Sequence, residues 1–207
     1  MIDDSRAAAN KKARDEKKAA QLRAIFDRYT ERFRAAGNQD ALSIAREAHR
    51  AMDGVLERDR RKGPGSADIQ CGKGCAHCCH GPVEIWPHEA ALLVEAAREA
   101  HVEMDRARLE RQSRHTPETW KQQPVADRAC VFLGGDGACR VYGSRPNACR
   151  KLLVVSDPAL CDAEKHPPDR VGRWFSWEAE AMESAALEVF GAVLMPRLLL
   201  SVLKKEE

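Results

Sequence analysis

Four cysteines fall within nine positions, Cys71-Gly72-Lys73-Gly74-Cys75-Ala76-His77-Cys78-Cys79, and three more, Cys130, Cys139 and Cys149, fall within twenty. Short spacings between sulfur atoms let one loop offer several thiolates to a single ion or cluster, because closing so small a loop costs little entropy. Such a loop cannot be a regular helix or strand. Its glycines supply the positive φ angles that wrapping backbone around a metal requires, and they let amide N–H groups approach sulfur. The competing reading is that these thiols are small buried hydrophobes, since free cysteine is among the most buried residue types. The polar, Gly-rich surroundings argue against it, more strongly for the first group than for the second.

Composition narrows the setting. With 34 basic and 32 acidic residues the net charge is only +2, and aromatics make up 5% of the chain, which leaves little for phosphate attraction or base stacking. No nucleic-acid partner is expected. No apolar run reaches about 18 residues. The N-terminal stretch is charged where a secretory signal would carry an apolar core, so no membrane is expected and a cytoplasmic location is. Thiols are kept reduced there, which favours metal ligands or catalytic thiols over a disulfide framework for the eight cysteines. At 207 residues the chain is long enough to bury a core without help from a metal.

The pattern reads as mainly α: a helical scaffold around an irregular Cys-rich metal-binding core, with room for a small β-hairpin. Residues 5 to about 36 carry Leu22, Ile25, Phe26, Tyr29 and Phe33 at helical spacing, behind a solvated first half. Gly37 and Asn38 end that helix, and Asp40 caps a second one with core positions Leu42, Ala45, Ala48, Met52, Val55 and Leu56. The break at Gly63-Pro64-Gly65-Ser66 opens onto the first cysteine loop. After the extended run Pro82-Val83-Glu84-Ile85-Trp86-Pro87, one helix is predicted from 88 to about 114, then a polar linker from 116 to 126. Val131 to Leu133 and Arg140 to Tyr142 flank a Gly-Gly-Asp-Gly turn and suit a hairpin with a cysteine at each end. A last helix is predicted over about 178 to 203, kinked at Pro196, with Val193, Leu194, Met195 and Leu198 to Leu200 packing against the two N-terminal helices. Three regions follow: a helical pair over 1–62, the cysteine core over 63–155, and a C-terminal segment over 156–207 that packs on the scaffold.

The metal-ligand candidates are Cys71, Cys75, Cys78, Cys79, Cys130, Cys139 and Cys149. Cys161 stands alone, as readily an accidental thiol as an eighth ligand, so Cys161→Ser is expected to be mild. His77 and His80 rank second, since a loop histidine is more often solvated than bound. Arg145 and Arg150 beside the second group suit an anionic cofactor or the negative charge of a thiolate cluster, and equally a fold-stabilising ion pair. Tyr142 is a packing residue.

The run from Cys71 to Cys79, then Cys130-x-Phe132-Leu133, Gly137-x-Cys139-x-Val141-Tyr142 and Arg145-Pro146-x-x-Cys149-Arg150, resembles the CxxCxxCC family of zinc- or iron-chelating proteins, the YkgJ-type cysteine-cluster proteins. The first interval here is three residues, where the namesake pattern has two. The resemblance implies a metal centre, and the same module is similar to a part of the flagellin lysine-N-methylases associated with a 4Fe-4S cluster. From the residues alone four thiolates satisfy a 4Fe-4S cluster or tetrahedral zinc equally. Adjacent Cys78 and Cys79 point their side chains apart, which favours a polynuclear cluster or two neighbouring sites over one mononuclear ion.

The leading expectation is therefore a metal-binding module in redox sensing, metal handling or contact with a protein partner. One alternative is an iron–sulfur-dependent transferase related to the protein lysine methylases, although no Gly-rich strand-to-helix turn for a nucleotide-like cofactor is present. Another follows from Cys71-x3-Cys75-x2-Cys78, the spacing of radical S-adenosylmethionine enzymes. Two helices precede it here and no alternating strands and helices follow, unlike the α/β barrel of that class.

Overall fold

The computed structural model describes residues 4–37, 39–62, 68–72, 74–166 and 168–205. Asn38, Lys73 and the Gly-Pro break at 63–66 lie outside the described residues. The fold is mainly helical. Helix α1 (Asp4–Ala35) is exposed throughout 11–20 and buries Tyr29 and Phe33 further along. Helix α2 (Ala41–Lys62) starts where expected, with the Asp40 carboxylate accepting the Ser43 N–H at 2.9 Å. Its buried face holds Ala45, Ala48, Met52, Val55 and Leu56, joined by Ile44 and His49, while Leu42 is only partly covered.

The single helix predicted over 88–114 is instead two, α3 (Pro87–Glu99) and α4 (Arg106–Ser113). At the end of α3 the Val102 N–H returns to the Ala97 carbonyl at 2.7 Å, and His101 takes the left-handed conformation (φ 50°) usual for a glycine. Asp105 then caps α4 by accepting from the Arg108 N–H. A histidine hid the stop, and a cap hid in what looked like a helix interior. The expected linker over 116–126 is also packed: Trp120 is 3% exposed, and α5 (Val125–Arg128) follows it.

The second cysteine segment is not a regular hairpin. Its ladder shrinks to one antiparallel bridge, Leu133 to Cys139, because the intervening turn folds back on itself, Gly134 N–H to Ala138 carbonyl. Helix α6 (Asn147–Lys151) comes next. Two antiparallel pairs supply the remaining strands: β1 (Glu84–Ile85) with β4 (Val193–Leu194), and β2 (Leu153–Val154) with β3 (Arg173–Trp174). Among the described residues no strand pairs in parallel, so the barrel context of a radical enzyme is missing.

The long last helix is likewise divided, into α7 (Trp177–Phe190) and α8 (Met195–Lys204). The break falls at Gly191 (φ 85°), not at Pro196, which sits in the first turn of α8 where its absent N–H leaves nothing unpaired. Helix α7 lies along α1 as expected, whereas α8 covers α3 and α4. Two apolar cores result. One joins α1, α2 and α7 around Phe33, Met52, Trp86 and Met182. The other joins α3, α4 and α8 and takes in Val131, Phe132 and Val141, with Cys130 and Cys139 packed against it. The cysteine segment is thus bolted to the second core by its apolar residues. No described helix is long and apolar enough to cross a membrane.

Candidate metal centre

The 71–79 loop is fixed at both ends. Gln70 donates its N–H to the Val154 carbonyl (2.9 Å), and the Val154 N–H points back at Cys71 Sγ (3.2 Å). An amide N–H on sulfur is the outer support that thiolate ligands use. Gly74 takes φ 89°, and residues His77–His80 form a 3₁₀ turn that carries Cys78 and Cys79. Buried Trp120 holds this turn by donating its indole Nε1 to the His80 carbonyl at 2.8 Å. The His80 ring lies 3.2 Å from the Ala76 carbonyl through Nδ1, and His77 is exposed.

The second segment docks directly on this loop. Cys130 donates its N–H to the Cys79 carbonyl at 2.8 Å, and Gly137 (φ 76°) presses so close to Gly74 that an added Cβ would stand 3.0 Å from the Gly74 carbonyl oxygen. Gly137→Ala therefore meets both a backbone penalty of about 1 kcal/mol or more and a collision between the two loops. It is expected to lower the unfolding temperature and the metal bound per chain. Gly135→Ala, with open space around it, is the control and is expected to change neither.

All eight thiols are free. Their mutual influence sorts them. Burial first, then the charges of Cys78 and Cys71, push the Cys75 thiol up, and burial followed by Cys75, Cys71 and Cys78 does the same to Cys161. Cys130 is pushed up to about 11 by burial, opposed by the Phe132 N–H and aided by Cys139 and Cys78. Burial again raises Cys149, helped by Cys130, Cys78 and Cys139. Cys139 is raised by burial against the Val141 N–H and the Arg145 charge. Cys78 is raised furthest, by its hydrogen bond with Cys79 ahead of burial. It is the one thiol whose charge reaches both sets. Thiols held protonated by burial and by one another gain most when a cation replaces the protons, since thiolates rather than thiols bind metal. Among the described residues no group of three or more His, Cys, Asp or Glu side chains is placed so as to hold a metal ion as it stands.

Cys161, as readily an accidental thiol as an eighth ligand in the sequence, lies close to the first cysteine group. It ends the Pro158–Cys161 turn, which packs against the His77–His80 turn and delivers the thiol to the Cys71 and Cys75 side. Nothing local signals this, because the approach is made by tertiary packing. The two arginines differ. Arg150 is 3% exposed and committed within the fold: both Asp53 oxygens (2.7 and 2.8 Å), the carbonyls of Arg145 and Gly143, and His49 Nδ1 surround it. Arg145 lays its guanidinium over the Tyr142 ring at 3.8 Å and brings its charge near Cys139.

Behind the thiols lies a buried polar network that the sequence reading did not single out. His49 Nε2 meets Glu89 Oε1 at 3.0 Å. Burial, then the Arg150 charge, holds His49 down to about 3, so it is neutral and the contact is a hydrogen bond rather than an ion pair. Glu89 is raised to about 7 and Glu183 to about 8, both mainly by burial. A histidine and two glutamates on otherwise apolar helix faces were the available signal.

Together the fold and site define a cysteine-rich domain on a helical scaffold. Residues 70–167 match the profile described as "Putative zinc- or iron-chelating domain", named CxxCxxCC, and this segment contains all eight cysteines. No curated protein and no solved structure gave a significant match.

Proposed function

We propose that the protein holds metal in one polynuclear thiolate centre, an iron–sulfur cluster, and acts through it in metal handling, redox sensing or contact with a protein partner in the cytoplasm. Cys71, Cys75, Cys78, Cys79, Cys130, Cys139 and Cys149 supply the donors, and Cys161 joins them. The observation that carries this reading is the docking of the two cysteine loops through the Cys130 N–H on the Cys79 carbonyl and through Gly137 on Gly74. Cys78, whose charge acts on thiols of both sets, suits a centre of several metal atoms better than one.

A second reading, two zinc ions, is favoured by the way the thiols divide. Cys161 responds to Cys75 and Cys71, and Cys149 to Cys130 and Cys139. Anaerobic purification, metal analysis and an absorption spectrum separate the two. About four irons per chain with broad absorbance near ~400 nm is the expected result. A colourless protein with about two zincs would move the assignment to zinc. Protein that takes up neither metal would sink both.

A further inference from the structure

Cys149 is the only one of the eight cysteines carried on an α-helix, and that helix has just five residues, Asn147–Lys151. So short a helix does not hold itself, because nucleating a turn is unfavourable without outside contacts. Its two ends are instead gripped by side chains from α3 and α2, the buried Glu89 and the exposed Asp53. Two residues before Cys149, the Asn147 N–H donates to Glu89 Oε1 at 2.7 Å, and Glu89 is 0% exposed. One residue after it, Arg150 is fixed by Asp53 and by the Arg145 and Gly143 carbonyls.

His49 ties the two grips together. Its Nδ1 faces Arg150, which has only protons to offer, so Nδ1 accepts and the single ring proton sits on Nε2, where it is donated to Glu89. The sequence of contacts runs from α6 to Glu89, His49 and Arg150 and back to α6 without an exposed member apart from Asp53. After burial, Glu89 also reaches the Cys149 thiol through its charge, which raises it. The members of the ring hold the backbone on either side of that thiol.

We infer that Glu89 is a positioning residue for the metal centre: by clamping the first N–H of α6 it sets the direction in which Cys149 presents its thiol to Cys130, Cys139 and Cys78. This rests on the metal reading given above for its purpose, although the clamp itself is a matter of geometry. An unclamped α6 frays, and the ligand it carries loses its fixed angle.

The Asn147 N–H can be removed alone. Asn147 is the first residue of α6, a position that tolerates proline, and it follows Pro146 in extended conformation, as a residue before proline must be. Asn147→Pro deletes the donor together with the side chain, while Asn147→Ala deletes only the side chain. The pair therefore isolates the clamp even if Glu89→Ala fails to fold. Glu89→Gln keeps an acceptor oxygen for the Asn147 N–H and is expected to keep the clamp, while removing the carboxylate charge that reaches Cys149.

Two readouts distinguish the ideas. In metal-free protein, alkylation of Cys149 followed by mass spectrometry is expected to run about tenfold faster in Asn147→Pro than in Asn147→Ala, as local opening of α6 exposes the thiol. With cobalt(II) as probe, the sulfur-to-cobalt absorbance of Asn147→Pro is expected to fall by about an eighth, one thiolate of the eight proposed donors, with Asn147→Ala unchanged. Equal alkylation rates in the two variants would overturn the clamp. A parent protein that takes no cobalt, with the alkylation difference intact, would instead overturn the metal reading and leave the clamp standing.

Discussion

Cys78→Ser is expected to abolish most metal binding, and to do so more completely than any other single cysteine replacement. Its thiol is the one whose charge reaches Cys75 and Cys161 on one side and Cys130, Cys139 and Cys149 on the other. Losing it removes a donor from both sets, where losing Cys161 removes one from a single set. Metal bound only by the folded state stabilises it by mass action, so a thousandfold loss of affinity removes about 4 kcal/mol of stability at a fixed metal concentration. The expected order of retained metal is therefore parent, then Cys161→Ser with a partial loss, then Cys78→Ser near zero. Metal analysis on the three proteins, with thermal unfolding run with and without metal, checks it. Full metal content in Cys78→Ser would remove the shared thiol from the centre, and an unaffected Cys161→Ser would return that residue to the mild role its isolation in the chain suggested.

How far the residues foretold this arrangement depended on whether the determining contact was local. The first two helices were legible because their signals are written within a few positions: an apolar stripe ending at Phe33, and Asp40 capping Ser43. The same reading joined α3 to α4 and α7 to α8, since the stop after α3 rests on a histidine in a glycine's place and the later break falls at Gly191 rather than at the proline that drew the eye. In the site, the crowding of Cys71 to Cys79 was plain, whereas the arrival of Cys161 depends on a turn packing across from another part of the fold. Trp120 was placed in a polar linker and instead steadies the cysteine turn through the His80 carbonyl. Arg150 illustrates the same limit, because the partners that bury its charge, Asp53 and His49, lie about one hundred positions away.

Glu183→Gln should gain stability over the parent as pH rises between about 4.5 and 8, because across that interval the parent loses the contribution of one buried, protonated carboxyl. Glu183 is 3% exposed on α7, neither of its oxygens finds a clear hydrogen-bond donor, and burial followed by the Glu89 charge raises its pKa from 4.5 to about 8. Across that interval the unfolded chain has released the proton and the folded protein keeps it. The unfolded state therefore binds fewer protons, and the free energy of unfolding declines with increasing pH until the folded carboxyl also ionises near 8. At 1.36 kcal/mol per unit the loss attributable to this group is about 5 kcal/mol at most. Glutamine has nearly the same shape and no proton to lose, so the variant is expected to match the parent near pH 5 and to exceed it by a few kcal/mol near pH 8. Glu89, raised to about 7 by the same burial, and His49, held down to about 3, leave slopes of opposite sign that variant and parent share. Urea unfolding of both proteins at pH 5, 6.5 and 8 measures the difference directly, and because the comparison is between variant and parent at each pH, the proton release that accompanies metal binding cancels. Curves that stay parallel across this range would mean that Glu183 is already ionised in the folded protein and is satisfied by partners other than a proton.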